Sequence, residues 1–466
     1  MKTFNQYIIA GLALVCSSTV SAQNLNSAYF TKDFQFRHEM NPAFENERNY
    51  VAIPILGNAN VAMHGNFGVE DVIFNNPIPN GKGYTTFLNP YISPAEALSG
   101  FHSGDNKIFT DINIGLLSGG FKSWGGYNTV ELNLRANAGV ILPYELFEFA
   151  KQTGNRVYDI GDINAQAQSF MELAFGHSRQ ITEKLRLGAK VKFLFGIGRA
   201  DIKMTDMRAD LTEGNRWIIS GNADADVSMK GFEATNKQKN FKVKDGQYEY
   251  IDDVKVKNPG IGGFGLALDL GGIYKIDQDW TVSASLSDIG FICWDSDTQL
   301  SNESKEFVFD GFHDIAVKKK RDPEHAISHQ ADSYSDQLAE FAHLKNQGDK
   351  GSRTTGIGAT LRLAGEYNLP VYRPITFGLL STTRINGKYS WTEGRLSANY
   401  EPLPWLNGGV SFAVNNFTTS MGWVLNVHPK SYNFFIGMDH IFCKTNKNGI
   451  PLGSNASVSV GMSVTW

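Results

Sequence analysis

Cysteine is scarce: the 466 residues hold three, too few for a disulfide scaffold. Beyond the N-terminus no window approaches 18 consecutive apolar residues, which excludes a transmembrane helix. Charge is sparse and balanced, with 43 Lys and Arg against 47 Asp and Glu. That balance gives no basic surface for coating nucleic acid. There is no G-x-S-x-G elbow and no Ser/His pair whose spacing stands out, so nothing recommends an enzyme. What is abundant is aromatic side chain, at 12%, and glycine, at 47 residues. The mean hydropathy of −0.25 resembles that of a soluble chain. A transmembrane barrel gives the same average, because only alternate strand residues face lipid.

Residues 1–22 read as a secretory signal peptide. Lys2 supplies the basic start, Tyr7 to Val15 the apolar stretch, and Val20-Ser21-Ala22 a small-residue cleavage site before Gln23. Cys16 raises lipoprotein processing, but Val15 stands where a small residue is wanted. An exported chain without a membrane helix reaches a membrane only as a barrel. After cleavage Cys293 and Cys443 remain, and both read as incidental.

Strict period-two alternation supports the barrel. Val458, Val460, Met462, Val464 and Trp466 alternate with Ser457, Ser459, Gly461, Ser463 and Thr465 over a span long enough for a tilted membrane strand. Leu132, Leu134, Ala136, Ala138 and Val140 oppose Glu131, Asn133, Arg135, Asn137 and Gly139. Leu185, Leu187, Ala189, Val191 and Phe193 oppose Lys184, Arg186, Gly188, Lys190 and Lys192. Ile357, Ala359, Leu361 and Leu363 oppose Gly358, Thr360, Arg362 and Ala364, and Phe434, Ile436, Met438 and Phe442 share one face. Tight links before Leu185, Trp280, Trp405 and Tyr432 alternate with long ones at about 69–107, 143–165, 229–260, 294–352 and 444–454, the asymmetry of a transmembrane barrel. Candidate strands number sixteen. The pair over 200–228 is rich in Asp and Arg and reads as a hairpin outside the bilayer, which leaves fourteen. Trp280, Trp294, Trp405, Tyr432 and Trp466 fall near strand ends and suit interfacial girdles.

Several stretches carry a family likeness. Leu25 to Phe30 (LNSAYF), Asn41 to Phe44 (NPAF) and the segment Met40 to Pro54 resemble the Asn-Pro-Ala entry to the first strand of long-chain fatty acid transporter (FadL) barrels and of PorV-like barrels. Residues 173–196 and 268–291 are similar to their strand–turn–strand units. The whole of residues 23–466 most resembles a group of Bacteroidetes outer-membrane proteins of unknown function. The likeness implies an all-β, fourteen-stranded outer-membrane barrel from residue 48 onward, with an N-terminal plug-like segment over 23–47. It also implies either uptake of a hydrophobic or amphipathic small molecule, as in FadL, or anchoring and shuttling of surface or secreted proteins, as in PorV. The terminal strand ending in Trp466 resembles the signal read by the barrel assembly machinery.

The plug candidates are Phe30, Phe34, Phe36, Asn41, Pro42 and Phe44, an apolar content odd for a free tail. The candidate lumen lining is Arg135, Arg186, Lys190, Lys192, Arg362, Glu366 and Arg395, faced by Glu131, Glu172 and Glu393. Such charges form either a structural ion-pair network or a selectivity surface. His325 and His329, four apart beside a basic run at 318–321, lack the metalloprotease pattern and read as solvated loop. Residues 333–346 have helical spacing and predict a short helix over the barrel mouth. No cofactor or metal is expected. The expected partners are outer-membrane lipid, the assembly machinery, and either an apolar ligand or a secreted protein.

Overall fold

The computed structural model describes residues 25–54, 57–78, 83–213, 216–314, 325–441 and 455–466. The stretch read as a signal peptide, the basic run at 318–321, Phe442 and Cys443 lie outside these residues.

Fourteen antiparallel strands close into a barrel. They are β1 (Tyr50–Ala52, continued by Ala59–Gly65), β2 (Asp105–Ser123), β3 (Gly126–Pro143), β4 (Val157–Gln180), β5 (Leu185–Glu213), β6 (Gly263–Lys275) and β7 (Trp280–Trp294). There follow β8 (Arg353–Gly356, continued by Ala359–Asn368), β9 (Ile375–Ile385), β10 (Trp391–Leu403), β11 (Leu406–Asn415), β12 (Thr419–Val427), β13 (Tyr432–Met438) and β14 (Ala456–Thr465). Each strand pairs with its chain neighbours, and β14 closes the ring on β1 with Val51 opposite Val464 and Val61 opposite Val458. Closure leaves no edge, which a sheet in lipid requires.

The alternation read from the sequence sets the two faces. Along β14, Ser457, Ser459, Ser463 and Thr465 are buried in the lumen while Met462 and Val464 are exposed. Along β5, Arg186, Lys190 and Lys192 point inward, whereas Leu187, Val191 and Phe193 form part of an apolar belt. Trp124, Tyr274, Trp280, Tyr372, Trp405, Tyr432 and Trp466 are exposed near the short turns, as an interfacial girdle needs.

Two parity errors in the sequence reading share one cause. In β7, Trp280 and Val282 face outward, but Asp288 has φ +62° and the β6–β7 register shifts opposite it. Past this bulge Ile289 and Phe291 face lipid, so Trp294 turns inward. It is 0% exposed, fills the space over Gly196 and donates from Nε1 to Thr355 Oγ1 at 2.8 Å. Trp294 is therefore lumen core, not girdle. Similarly, Gly358 at φ +77° interrupts β8 and buries Ile357 instead of exposing it.

The long links build upward from one rim. Residues 198–213 of β5 leave the wall and pair with Arg216–Met229, so the Asp- and Arg-rich pair lies outside the ring and the count is fourteen rather than sixteen. A hairpin of Phe232–Asn240 and Gln247–Val256 joins it. The helix read over 333–346 spans Ile327–Ala342 instead, and His325 precedes it, so the two histidines do not share a helical face.

Candidate functional site

Residues 25–48 run through the half of the lumen nearest the short turns. Phe30, Phe34, Phe36 and Met40 are buried there with Leu25 and Tyr29, against Tyr50, Tyr127, Leu380, Val424 and Phe435 of the wall. Phe34 meets Phe435 edge-to-face at 4.7 Å, and Phe36 meets Tyr50 at 5.8 Å. Phe44 packs at the margin under the Arg37 guanidinium, 3.8 Å from its ring centre. Each buried ring of this size contributes roughly 1.5–3 kcal/mol, which explains why an aromatic-rich segment is not a free tail.

Polar contacts fix the segment at intervals. The Asp439 carboxylate accepts from Asn26 N at 2.8 Å and Ser27 N at 2.6 Å. Arg395 donates to Ser27 Oγ at 3.0 Å and Ser411 Oγ at 2.8 Å while pairing with Glu393 at 2.8 Å. Asn407 donates to the Lys32 carbonyl at 2.6 Å, and Arg186 pairs with Glu45 at 2.7 Å. Asn41 closes a local turn by accepting from Ala43 N at 3.0 Å. Its Nδ2 points to the carbonyls of Gly272 and Ala284 at 3.4 and 3.3 Å. At the short-turn rim His428 lies 3.9 Å from Asp33, yet burial holds its imidazole below the ordinary range.

The wall is cut to receive the segment. A Cβ on Gly188 would overlap the Pro42 carbonyl, and one on Gly271 would overlap the Asn41 side chain. Gly378 makes room for the Phe30 ring, Gly422 for Ser27 and Gly437 for Leu25. These lumen glycines escaped the sequence reading, because each seats a residue more than a hundred positions away. Their inward parity was the available signal.

Above the segment lies a layer of charge. Lys190 binds both oxygens of Glu131 at 2.9 and 3.0 Å, and His38 Nδ1 meets the same carboxylate at 2.9 Å. His38 Nε2 continues to Tyr50 at 2.7 Å and Tyr50 to Ser118 at 2.8 Å. Lys192 bridges Asp288 at 2.6 Å and Asp269 at 2.9 Å, while Arg135 spans Asp288 at 2.8 Å and Glu172 at 3.2 Å. Arg362 and Arg384 enter the same layer from β8 and β9. Glu366 faces inward on β8 within electrostatic reach of Arg37. Arg135, Lys190, Lys192 and Arg362 thus come together, whereas Arg186 lies nearer the rim and Arg395 in a second cluster with Glu393 and Asp439. Between segment and charges remains a polar cavity of about 50 Å³, room for on the order of three or four waters.

The lipid face carries a different feature. Between β6, β7, β8 and β9 the wall forms an apolar hollow of about 610 Å³. Small residues, Gly272, Ala284, Gly365 and Ser381, line it among Tyr274, Val282, Leu363 and Leu379. The N-terminal segment stands directly behind it, with Tyr29 OH 3.0 Å from Ser283 Oγ and Asn41 on the Gly272 and Ala284 carbonyls.

No curated protein matches the chain. Solved structures similar to it include the P. putida toluene transporter TodX (10% identity over 96% of this chain and 95% of that one, TM-score 0.37). The toluene transporter TbuX of Ralstonia pickettii is 9% identical over 96% and 95%, with TM-score 0.38. The translocator domain of the autotransporter NalP from Neisseria meningitidis is 8% identical over 91% and 90%, with TM-score 0.32. Residues 42–439 match the model of a family of unknown function, DUF5723, and the chain belongs to that family.

Proposed function

We propose that the protein is an outer-membrane barrel that takes up an apolar or amphipathic small molecule through its wall rather than down its axis. The carrying observation is the apolar hollow backed by the plug segment. The axial path is filled by that segment and by the paired charges above it, so small-molecule passage requires the segment to shift. The resemblance of Met40 to Pro54 to FadL barrels points the same way. In reconstituted vesicles, wild-type protein should accelerate uptake of a fluorescent alkyl probe, and Ala284→Leu with Gly365→Leu, which fill the hollow, should abolish the gain. Unchanged uptake in the filled variant would remove the wall route.

A second reading is a barrel that anchors or shuttles surface proteins without transport. The charge-filled lumen favours it. Planar-bilayer conductance of the full mature chain and of a chain lacking residues 23–47 separates the two. A plug-less form without conductance, together with no probe uptake, leaves the anchoring reading standing.

A further inference from the structure

Arg362 is the anomaly of the charge layer. It is 4% exposed, and a guanidinium does not give up its proton to escape burial. Among the described residues no carboxylate lies within ion-pair distance of it. Its Nε has no acceptor, and its Nη1 reaches only the Met40 carbonyl, at a marginal 3.5 Å. That carbonyl already accepts from Ser285 Oγ at 2.8 Å. Five carboxylates line the cavity with it and none pairs with it. Glu131 is engaged by Lys190 and His38, Glu172 by Arg135, and Asp288 by Arg135 and Lys192. Glu39 accepts from Asn58 and Asn113, and Asp111 lies on the β2 side. Beside Arg362 stands a second guanidinium, Arg384, which is 3.6 Å from Asp288 and bonds Thr360 Oγ1 at 3.1 Å. The Ser287 hydroxyl, 3% exposed, also lacks a partner. Arg362, Arg384, Ser287 and Thr360 all line the 50 Å³ cavity.

A buried cation without a counter-charge costs several kcal/mol, and a fold keeps one only where something compensates it. On the β7–β8 side of the cavity the groups left without a partner can both donate: the Arg362 Nε–H and the Ser287 hydroxyl, which is free to rotate. We infer that the cavity between the plug and β7–β9 is a binding site for one small anion, held by Arg362 and Ser287 with Arg384 at its side. A halide fits the volume, as does the head of a small carboxylate. The site does not depend on the transport reading, since its ligand completes the charge layer whether or not anything crosses the wall.

Bromide provides the direct probe. Crystals of the full mature protein grown in sodium bromide should show an anomalous peak in the cavity beside the Arg362 guanidinium. In detergent, exchanging gluconate for chloride or acetate at fixed ionic strength should raise the melting temperature saturably. Arg362→Gln should abolish that dependence, while Arg186→Gln, which removes a paired arginine near the rim, should retain it. Saturation by chloride and acetate alike identifies a site for any small anion. Saturation by acetate alone identifies a carboxylate site. A cavity holding only water in bromide-grown crystals, or an anion response unchanged in Arg362→Gln, would overturn the assignment.

Discussion

Gly188 on β5 and Gly271 on β6 stand opposite each other across the ladder, and the backbone of Asn41 to Ala43 lies in the notch they leave. Alanine at either position puts a methyl group into the plug. Gly188→Ala meets backbone and cannot be relieved by a rotamer change, whereas Gly271→Ala meets a side chain end. The expected cost is about 1–3 kcal/mol, larger for Gly188→Ala. The barrel should still assemble and migrate heat-modifiably, with the N-terminal segment cut early in limited proteolysis. Wild-type protease resistance in both variants would show that the plug does not need the notch.

The Glu131–Lys190 pair is fully enclosed, so removing Glu131 strands Lys190, and removing Lys190 leaves Glu131 with His38 alone. Glu131→Gln or Lys190→Met alone should destabilise the protein by roughly 3–5 kcal/mol, and the double variant by less than the sum. A double-mutant cycle of urea unfolding in detergent measures this. Additive losses would mean that the two charges are independent.

Asp439 holds the start of the plug through two backbone amides. Hydrogen bonds to a charged acceptor are worth about 1.5–3 kcal/mol each. Asp439→Ala should therefore speed hydrogen exchange at Asn26 and Ser27 much more than at Phe36. Uniform acceleration across the plug would indicate that it moves as one body instead.

His428 supplies a pH dependence at the rim. Its folded-state pKa is lowered by burial, so its contribution to stability is complete above the unfolded value of about 6.5. It is lost as the pH falls below that value toward the folded one, because the neutral ring must then be protonated. Between pH 7.5 and pH 5 the melting temperature should fall more in wild type than in His428→Asn. Parallel curves would exclude His428 as the titrating group.

Much of the fold was legible because the alternation along Ser457 to Trp466 and Leu185 to Phe193 records on every second residue which solvent it meets. It failed at Asp288 and Gly358, where one residue outside regular pairing reverses the parity between the stretches on its two sides, and so misplaced Trp294 beyond the first and Ile357 ahead of the second. The inward charges could be read as a set. Their division into separate clusters could not, since Arg395 and Lys190 carry the same local pattern and differ only in what the closed ring brings opposite. The glycine seats were hidden for the same reason, and so was the unpaired state of Arg362, which is defined by distances to four other strands.

Asn26 and Asp439 are joined across 413 positions of chain. The segment that fills the lumen precedes the first strand, and the carboxylate that holds it follows the last hairpin but one to be made. The bond that holds the start of the plug therefore forms only once all but the last strand of the barrel is present. A contact of that sequence separation is of the kind that makes folding slow. A cell making this protein must keep its aromatic N-terminal segment from sticking elsewhere until nearly the whole chain has arrived.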